Sequence, residues 1–482
     1  MNGIVILIII VAYFALLWVV ARVSAKKGGN DAFFRGNGNS PWWLVALGMI
    51  GTSISGVTFV SVPGMPLSID MSYMQMVFGF AVGYIVIAKV LLPLYYKLNL
   101  ISIYKYLDER FGSNSYKTGA IFFIISKITG AAARLFLVVL ILQSLVFNQL
   151  GIPFEVTTLS IIMLIWFYSN KGGIRSIVRT DALQTVILLT TAGLIVFIII
   201  SKMGIGLGDS IKLISESEHS NIFVFDDWAS KQNFFKQFLS GIFITIVMTG
   251  LDQDMMQKNL TIKSLKEAQR NMYIYGVAFI PVNLLFLCIG ILLIAFGEYS
   301  GISLPAKGDE ILPFFATYHL GGAVMILFCI GIVAAAFSSA DSALTSLTTS
   351  FCLDILRVDK MSASRAERVR KFSHIGMALL FALIIMGIRY MDSDSVIDAI
   401  YTIAGYTYGP LLGLFAYGLI SKGKPNDKLI PWFAVASPII CFTLSYTLQH
   451  TIGYKTGYEL LMINAAITYM LAWGSAKKVV SF

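Results

Sequence analysis

The segment IGIVAAAFSSADSALTSLTTSF, inside the apolar stretch 322–352, holds residues able to do chemistry at membrane depth. Ala335, Ser338, Ser339 and Ser342 fall at i, i+3, i+4 and i+7, which places them on one face of a helix. A row of hydroxyls with a free backbone carbonyl is a site for a hard cation, since alkali ions take oxygen ligands and neutral oxygens let them go again. Serines in helices also bond their own i−4 carbonyls, and the stripe alone fits either reading. Asp341 adds weight to the first, because an unpaired aspartate deep in a span is costly and marks function by default. Asp181, at the start of another apolar stretch, supplies a second carboxylate. Two aspartates among hydroxyls suit a cation or a proton. The plainer alternative makes Asp181 a helix-end residue paired with Arg175 or Arg179 at the interface.

Elements that span a bilayer must position these groups. Of 482 residues, 57% are hydrophobic and 13% charged, more apolar surface than a soluble fold can hide. Apolar stretches of roughly 17–25 residues recur about thirteen times. They run over 3–24, 42–67, 72–97, 118–147, 155–170, 181–203, 233–252, 272–297, 322–352, 372–390, 397–420, 429–448 and 457–475. The expected fold is an all-α polytopic membrane protein forming a single transporter domain over 1–482.

Two spans carry breaks. The second holds Gly48, Gly51, Thr52, Ser53, Ser55, Gly56, Thr58, Pro63, Gly64 and Pro66; the seventh holds Gly241, Thr245, Thr249, Gly250 and Asp252. Small residues also permit close helix packing, which explains either span alone. Their placement five spans apart, crossing in opposite directions, instead predicts two inverted five-helix repeats that each open with a broken helix. The repeats occupy 42–203 and 233–420, with a leading helix at 3–24 and trailing helices at 429–475.

The formal charge of +10 does not point to nucleic acid, because the basic residues lie in short loops between spans. Loops after alternate spans hold Lys26, Lys27 and Arg35; Lys105, Arg110 and Lys117; and Lys171, Arg175 and Arg179. The same side holds Lys258, Lys263, Lys266 and Arg270, the run from Arg357 to Lys371, Lys422, Lys424 and Lys428, and Lys477 with Lys478. Asp209, Glu216, Glu218, Asp226 and Asp227 fall on the other side. By the positive-inside rule the amino terminus lies outside and the carboxyl terminus in the cytoplasm of a bacterial-type inner membrane. The first apolar run lacks a basic leader and reads as a retained span. Cys288, Cys329, Cys352 and Cys441 show no CxxC spacing, and the four histidines are scattered. Loop clusters of catalytic carboxylates or histidines are missing, so no enzyme is expected. No obligate protein partner is evident; the expected partners are a small solute, sodium and the bilayer.

Three stretches together resemble the sodium/solute symporter family, in order over nearly the whole chain. They are GGIRSIVRTDALQTVIL (with Gly172, Gly173, Thr180, Asp181 and Gln184), GLDQDMMQKNL (with Gly250, Asp252, Gln253 and Gln257) and AAAFSSADSALTS. The resemblance implies sodium held by the backbone carbonyls of Gly51, Ile54 and Ala335 and the hydroxyls of Ser338 and Ser339. A second sodium site, known in some members, would involve Asp181, Ser338, Asp341 and Ser342; Asp341 replaces a serine of those members. The first core helix, GTSISGVTFVSVPG, is similar to members carrying sialic acid and monocarboxylates. That similarity places Ser53, Ser55, Thr58 and Tyr73 at the substrate, and Thr245 is a further candidate for contact with it. Sugar-carrying members have Gln at Thr58, Asn at Thr245 and an aromatic gate at Met248, so their pocket does not transfer. The sialic acid carriers' arginine aligns with Gly130, and Arg134 lies one turn further on. A guanidinium there suits a carboxylate, and a packing or snorkelling arginine fits equally well.

The function expected from these residues is sodium-coupled symport of a small organic solute by alternating access. A carboxylate such as sialic acid or a monocarboxylate is the first candidate, and a sugar or polyol the alternative.

Overall fold

A computed structural model describes residues 3–24, 29–228, 230–390, 396–454 and 456–476. Lys26, Lys27, Lys477, Lys478 and the side chain of Lys171, used above for orientation, lie outside the described residues. Apart from one isolated bridge between Ser40 and Ile262, the described residues form helices and their connections.

Among them, nine helices are long and apolar enough to cross a membrane, or eleven if each of two bent pairs is one span. Two further apolar helices, Phe154–Asn170 and Leu460–Gly474, are shorter. The leading helix α1 (Gly3–Ser24) is followed by the bent pair α2 (Trp42–Ser53) and α3 (Gly56–Ser61). Then come α4 (Tyr73–Val86), α5 (Ser113–Leu142), α6 (Phe154–Gly172) and α7 (Ile174–Met203). A second bent pair, α8 (Phe234–Thr245) and α9 (Gln253–Asn259), opens the next set. It continues with α10 (Leu265–Ser300), α11 (Gly322–Ser350), α12 (Ala363–Ile388) and α13 (Val396–Ile420). The chain then runs through α14 (Ile430–Ile452) and α15 (Leu460–Gly474).

The breaks expected from Gly and Ser are present, with bends of 62° and 67°. At the first, Ile54 (φ −80°, ψ 77°) and Ser55 (φ −70°, ψ 170°) leave the helical region. At the second, Leu251 and Asp252 do so, and the Asp252 side chain accepts from the backbone N–H groups of Asp254 and Met255. That cap satisfies amides which would otherwise be orphaned at a buried helix start. The two sets pack in matching fashion, α2 against α10 and α4 against α8.

Small residues let these backbones touch. A Cβ at Gly79 would sit 2.2 Å from the Phe238 carbonyl oxygen, and one at Gly241 would sit 2.3 Å from that of Met76. Such crossings are how helices associate where lipid removes the hydrophobic drive. The outer helices meet the opposite requirement: α1 turns out Ile8 and Val11, and α14 turns out Trp432, Ile439 and Phe442, exposed apolar side chains of the kind that suit acyl chains.

Asp427, in the connection before α14, fastens the start of α5. It accepts from the Ser115 N–H (2.8 Å), the Ser115 hydroxyl (2.6 Å) and the Asn114 N–H (3.1 Å). Burial pushes its carboxyl up, but these hydrogen bonds outweigh it and hold the group below its ordinary value. A depressed folded-state pKa stabilises above the unfolded value and is lost as pH falls through the folded one. Asp427→Ala is therefore expected to cost about 1 kcal/mol at neutral pH. The difference from wild type in detergent-solubilised Tm should shrink below about pH 4. A gap that stays constant with pH would show that the carboxylate charge is not what matters.

Candidate cation and substrate site

The two breaks face a common cavity walled by α2, α3, α4, α5, α8 and α13. Ser53, Ser55, Thr58, Tyr73, Arg134 and Thr245, drawn from distant parts of the chain, all line it. Phe80, Tyr84, Met248, Phe279 and Tyr408 add an apolar and aromatic wall. Ser53 is engaged already: its hydroxyl bonds that of Tyr275, which in turn accepts from Tyr84 at 2.9 Å. Arg134 forms no ion pair with any described carboxylate.

Beside the cavity, α2, α7, α9 and α11 meet at Asp181, which is 0% exposed. The bland alternative for this residue fails, because it pairs with neither Arg175 nor Arg179. Ser338 donates to its Oδ1 at 2.9 Å and Ser342 to its Oδ2 at 3.3 Å. Thr52 lies 3.0 Å from Oδ2 and 3.3 Å from the Ser338 hydroxyl. The stripe on α11 thus divides. Ser338 and Ser342 turn to Asp181, while Ser339 donates back to the carbonyls of Ala335 (3.2 Å) and Ala336 (3.1 Å) and also lines the cavity. Gly51 lies against α7, where a Cβ would come 2.0 Å from the Thr185 hydroxyl. Asp341 faces elsewhere. Its Oδ2 accepts from Tyr168 of α6 at 2.7 Å, and its buried Oδ1 has no hydrogen-bond partner among the described residues. Of the four residues expected to share a second cation, three meet and Asp341 stands one helix face away.

The structure corrects one reading outright. Lys258, counted above among cytoplasmic loop charges, is 0% exposed and sits 2.7 Å from Asp181 Oδ2, with Thr52 as a further partner. It is also 3.9 Å from Asp254, one turn earlier on α9. Asp254 lies 2.7 Å from Lys127 of α5, and Lys127 lies 3.2 Å from Asp252. The result is an alternating buried chain, Asp181–Lys258–Asp254–Lys127–Asp252, ending at Tyr408, which donates to Asp252 at 2.7 Å. Lys127, Asp252 and Asp254 line the cavity, so one run of charges joins its wall to Asp181. Buried charges persist only when paired in this way.

Sequence reasoning passed over Lys127, Asp254 and Tyr408. A signal for Lys127 was available: it lies inside the apolar stretch 118–147, where any ionisable residue is a candidate by rule.

The model of the Sodium:solute symporter family matches residues 33–424. The chain is 27% identical to the sodium/sialic acid symporter SiaT of Proteus mirabilis, over 85% of this chain and 83% of that one. It is 25% identical to the sodium/sialic acid symporter NanT of Aliivibrio fischeri, over 87% and 84%. It is 24% identical to the sodium/glucose cotransporter of Vibrio parahaemolyticus, over 94% and 86%. Among solved structures, a substrate-bound, outward-open Na+-coupled sialic acid symporter superposes with a TM-score of 0.82 at 22% identity, covering 99% of both chains.

Proposed function

Since this chain belongs to the sodium:solute symporter family and therefore couples movement of a solute to sodium, we propose that its solute carries a carboxylate seated on Arg134. One observation carries the reading: Arg134 lines the cavity between the two helix breaks, and no described carboxylate pairs with it. A half-buried guanidinium without an ion-pair partner among the described residues is matched by the planar fork of a carboxylate arriving from outside. Ser55 and Thr58 supply neutral hydrogen bonds in the same cavity, Thr245 lines it from α8, and Tyr73 adds an aromatic edge. The likeness to two sodium/sialic acid symporters is consistent with an acidic sugar or a short monocarboxylate.

In the same reading sodium binds where the first break meets α11. The carbonyls of Gly51, Ile54 and Ala335 and the hydroxyls of Ser338 and Ser339 supply its oxygens. The non-helical backbone at Ile54 frees carbonyls for that purpose. Asp181, Ser338 and Ser342 surround a second cation position, from which Asp341 is turned away toward Tyr168. Sodium orders the broken segment, the solute binds above it, and the two repeats (42–203 and 233–420) rock to open the other side. The membrane potential contributes about 2.3 kcal/mol per charge per 100 mV. The chain sits in a bacterial-type inner membrane, amino terminus outside and carboxyl terminus in the cytoplasm, with no obligate protein partner.

The test is competition for sodium-driven uptake in proteoliposomes among sialic acid, short monocarboxylates, neutral hexoses and inositol. Acids are expected to compete and neutral compounds to fail. Arg134→Lys keeps the charge but loses the fork, and is expected to weaken apparent affinity at least roughly tenfold. If only neutral sugars compete and Arg134→Lys transports normally, the solute is a sugar or polyol.

A further inference from the structure

The cation position around Asp181 already contains a cation that belongs to the chain. Asp181 Oδ2 receives the Lys258 ammonium at 2.7 Å, and Oδ1 receives the Ser338 hydroxyl at 2.9 Å. Lys258 has two carboxylates within 4 Å, Asp181 and Asp254, and both are buried with it. It springs from α9, which is itself anchored by the Asp252 cap at the helix break, so its reach is restricted to this pocket.

A sodium ion at Asp181 would require the Ser338 and Ser342 oxygens to turn their lone pairs toward it. It would also have to tolerate an ammonium against the same carboxylate. Two like charges sharing one carboxylate in a low-dielectric interior repel strongly. An ammonium donates three hydrogen bonds and carries the charge that sodium would bring, so it satisfies Asp181 and Thr52 without an ion.

We infer that Lys258 is the resident occupant of the second cation position, so the protein binds one sodium ion and Lys258 holds the place of another. Removing the ammonium alone leaves Asp181 buried without a counter-charge, beside the hydroxyls of Thr52, Ser338 and Ser342. Those oxygens then become ligands, and the variant takes up a second ion. This inference rests on the sodium-site reading above, but its outcome is separable from it.

The experiment counts ions and needs no solute. Equilibrium binding of radioactive sodium to the purified full chain in detergent, with choline replacing sodium in controls, gives ions per protein. Wild type is expected to bind one, and Lys258→Met to bind two. Lys258→Gln, which keeps polarity without charge, should also bind two and serves if the Met variant fails to fold. Two ions in wild type, or one ion in both folded variants, would overturn the inference. Should neither variant fold, the wild-type count decides: one supports it and two refutes it. Wild type binding no sodium at all would instead refute the sodium-site reading.

Discussion

Lys127→Met is expected to destabilise the protein by about 3–5 kcal/mol, the cost of leaving buried partners uncompensated. Lys127 is the nearer of the two cations to Asp254 (2.7 Å) and lies 3.2 Å from Asp252, and all three are buried. Its loss leaves Asp252 with the Tyr408 hydroxyl and backbone N–H groups alone, and Asp254 with Lys258 at 3.9 Å. The readout is detergent-solubilised Tm, measured with the double variant Lys127→Met/Asp252→Asn. Neutralising one acid as well should recover part of the loss, so the pair will be non-additive. Additive losses, or a single variant within a degree of wild type, would show that the network is solvated rather than buried. Because Asp252 also caps α9, Asp252→Asn alone isolates the loss of charge while keeping a capping side chain.

The second large effect concerns sodium. Ser338→Ala and Ser339→Ala are each expected to raise the sodium concentration for half-maximal uptake tenfold or more, at unchanged protein level in the membrane. Each removes one oxygen from a small coordination shell, and a tenfold change corresponds to about 1.4 kcal/mol. The two should differ in what else they disturb. Ser338 also donates to Asp181, so its loss removes a hydrogen bond from a buried carboxylate and should lower Tm as well. Among the described residues Ser339 bonds only carbonyls of its own helix, so its loss should leave Tm near wild type. If sodium dependence is unmoved in both, the ion binds elsewhere.

Much of this protein was legible in the linear chain, for physical reasons. Membrane helices are local objects, and a run of apolar residues long enough to cross hydrocarbon is visible without knowing its neighbours. The breaks announced themselves through Gly, Ser, Thr and Pro in the first apolar run and Gly, Thr and Asp in the second, and the bends near Ile54 and Leu251 fall there. The stripe Ala335, Ser338, Ser339, Ser342 followed from helical periodicity alone. Family resemblance then named Ser53, Ser55, Thr58 and Tyr73, and these line one cavity together with Arg134 and Thr245.

What the tertiary structure decided is which charges meet. Lys127 and Asp252 are 125 residues apart and Asp181 and Ser338 are 157 apart, so their contact depends on how helices cross. A lysine near the end of a span, such as Lys258, looks from composition like a loop charge facing water. Only the 67° bend after α8 turns α9 inward and carries Lys258 to Asp181. Asp341 shows the converse. One residue from Ser342, it points a third of a helical turn away and meets Tyr168 instead. Periodicity says which residues share a helix face, but what lies opposite that face is set by packing, and here packing put the chain's own ammonium beside Asp181.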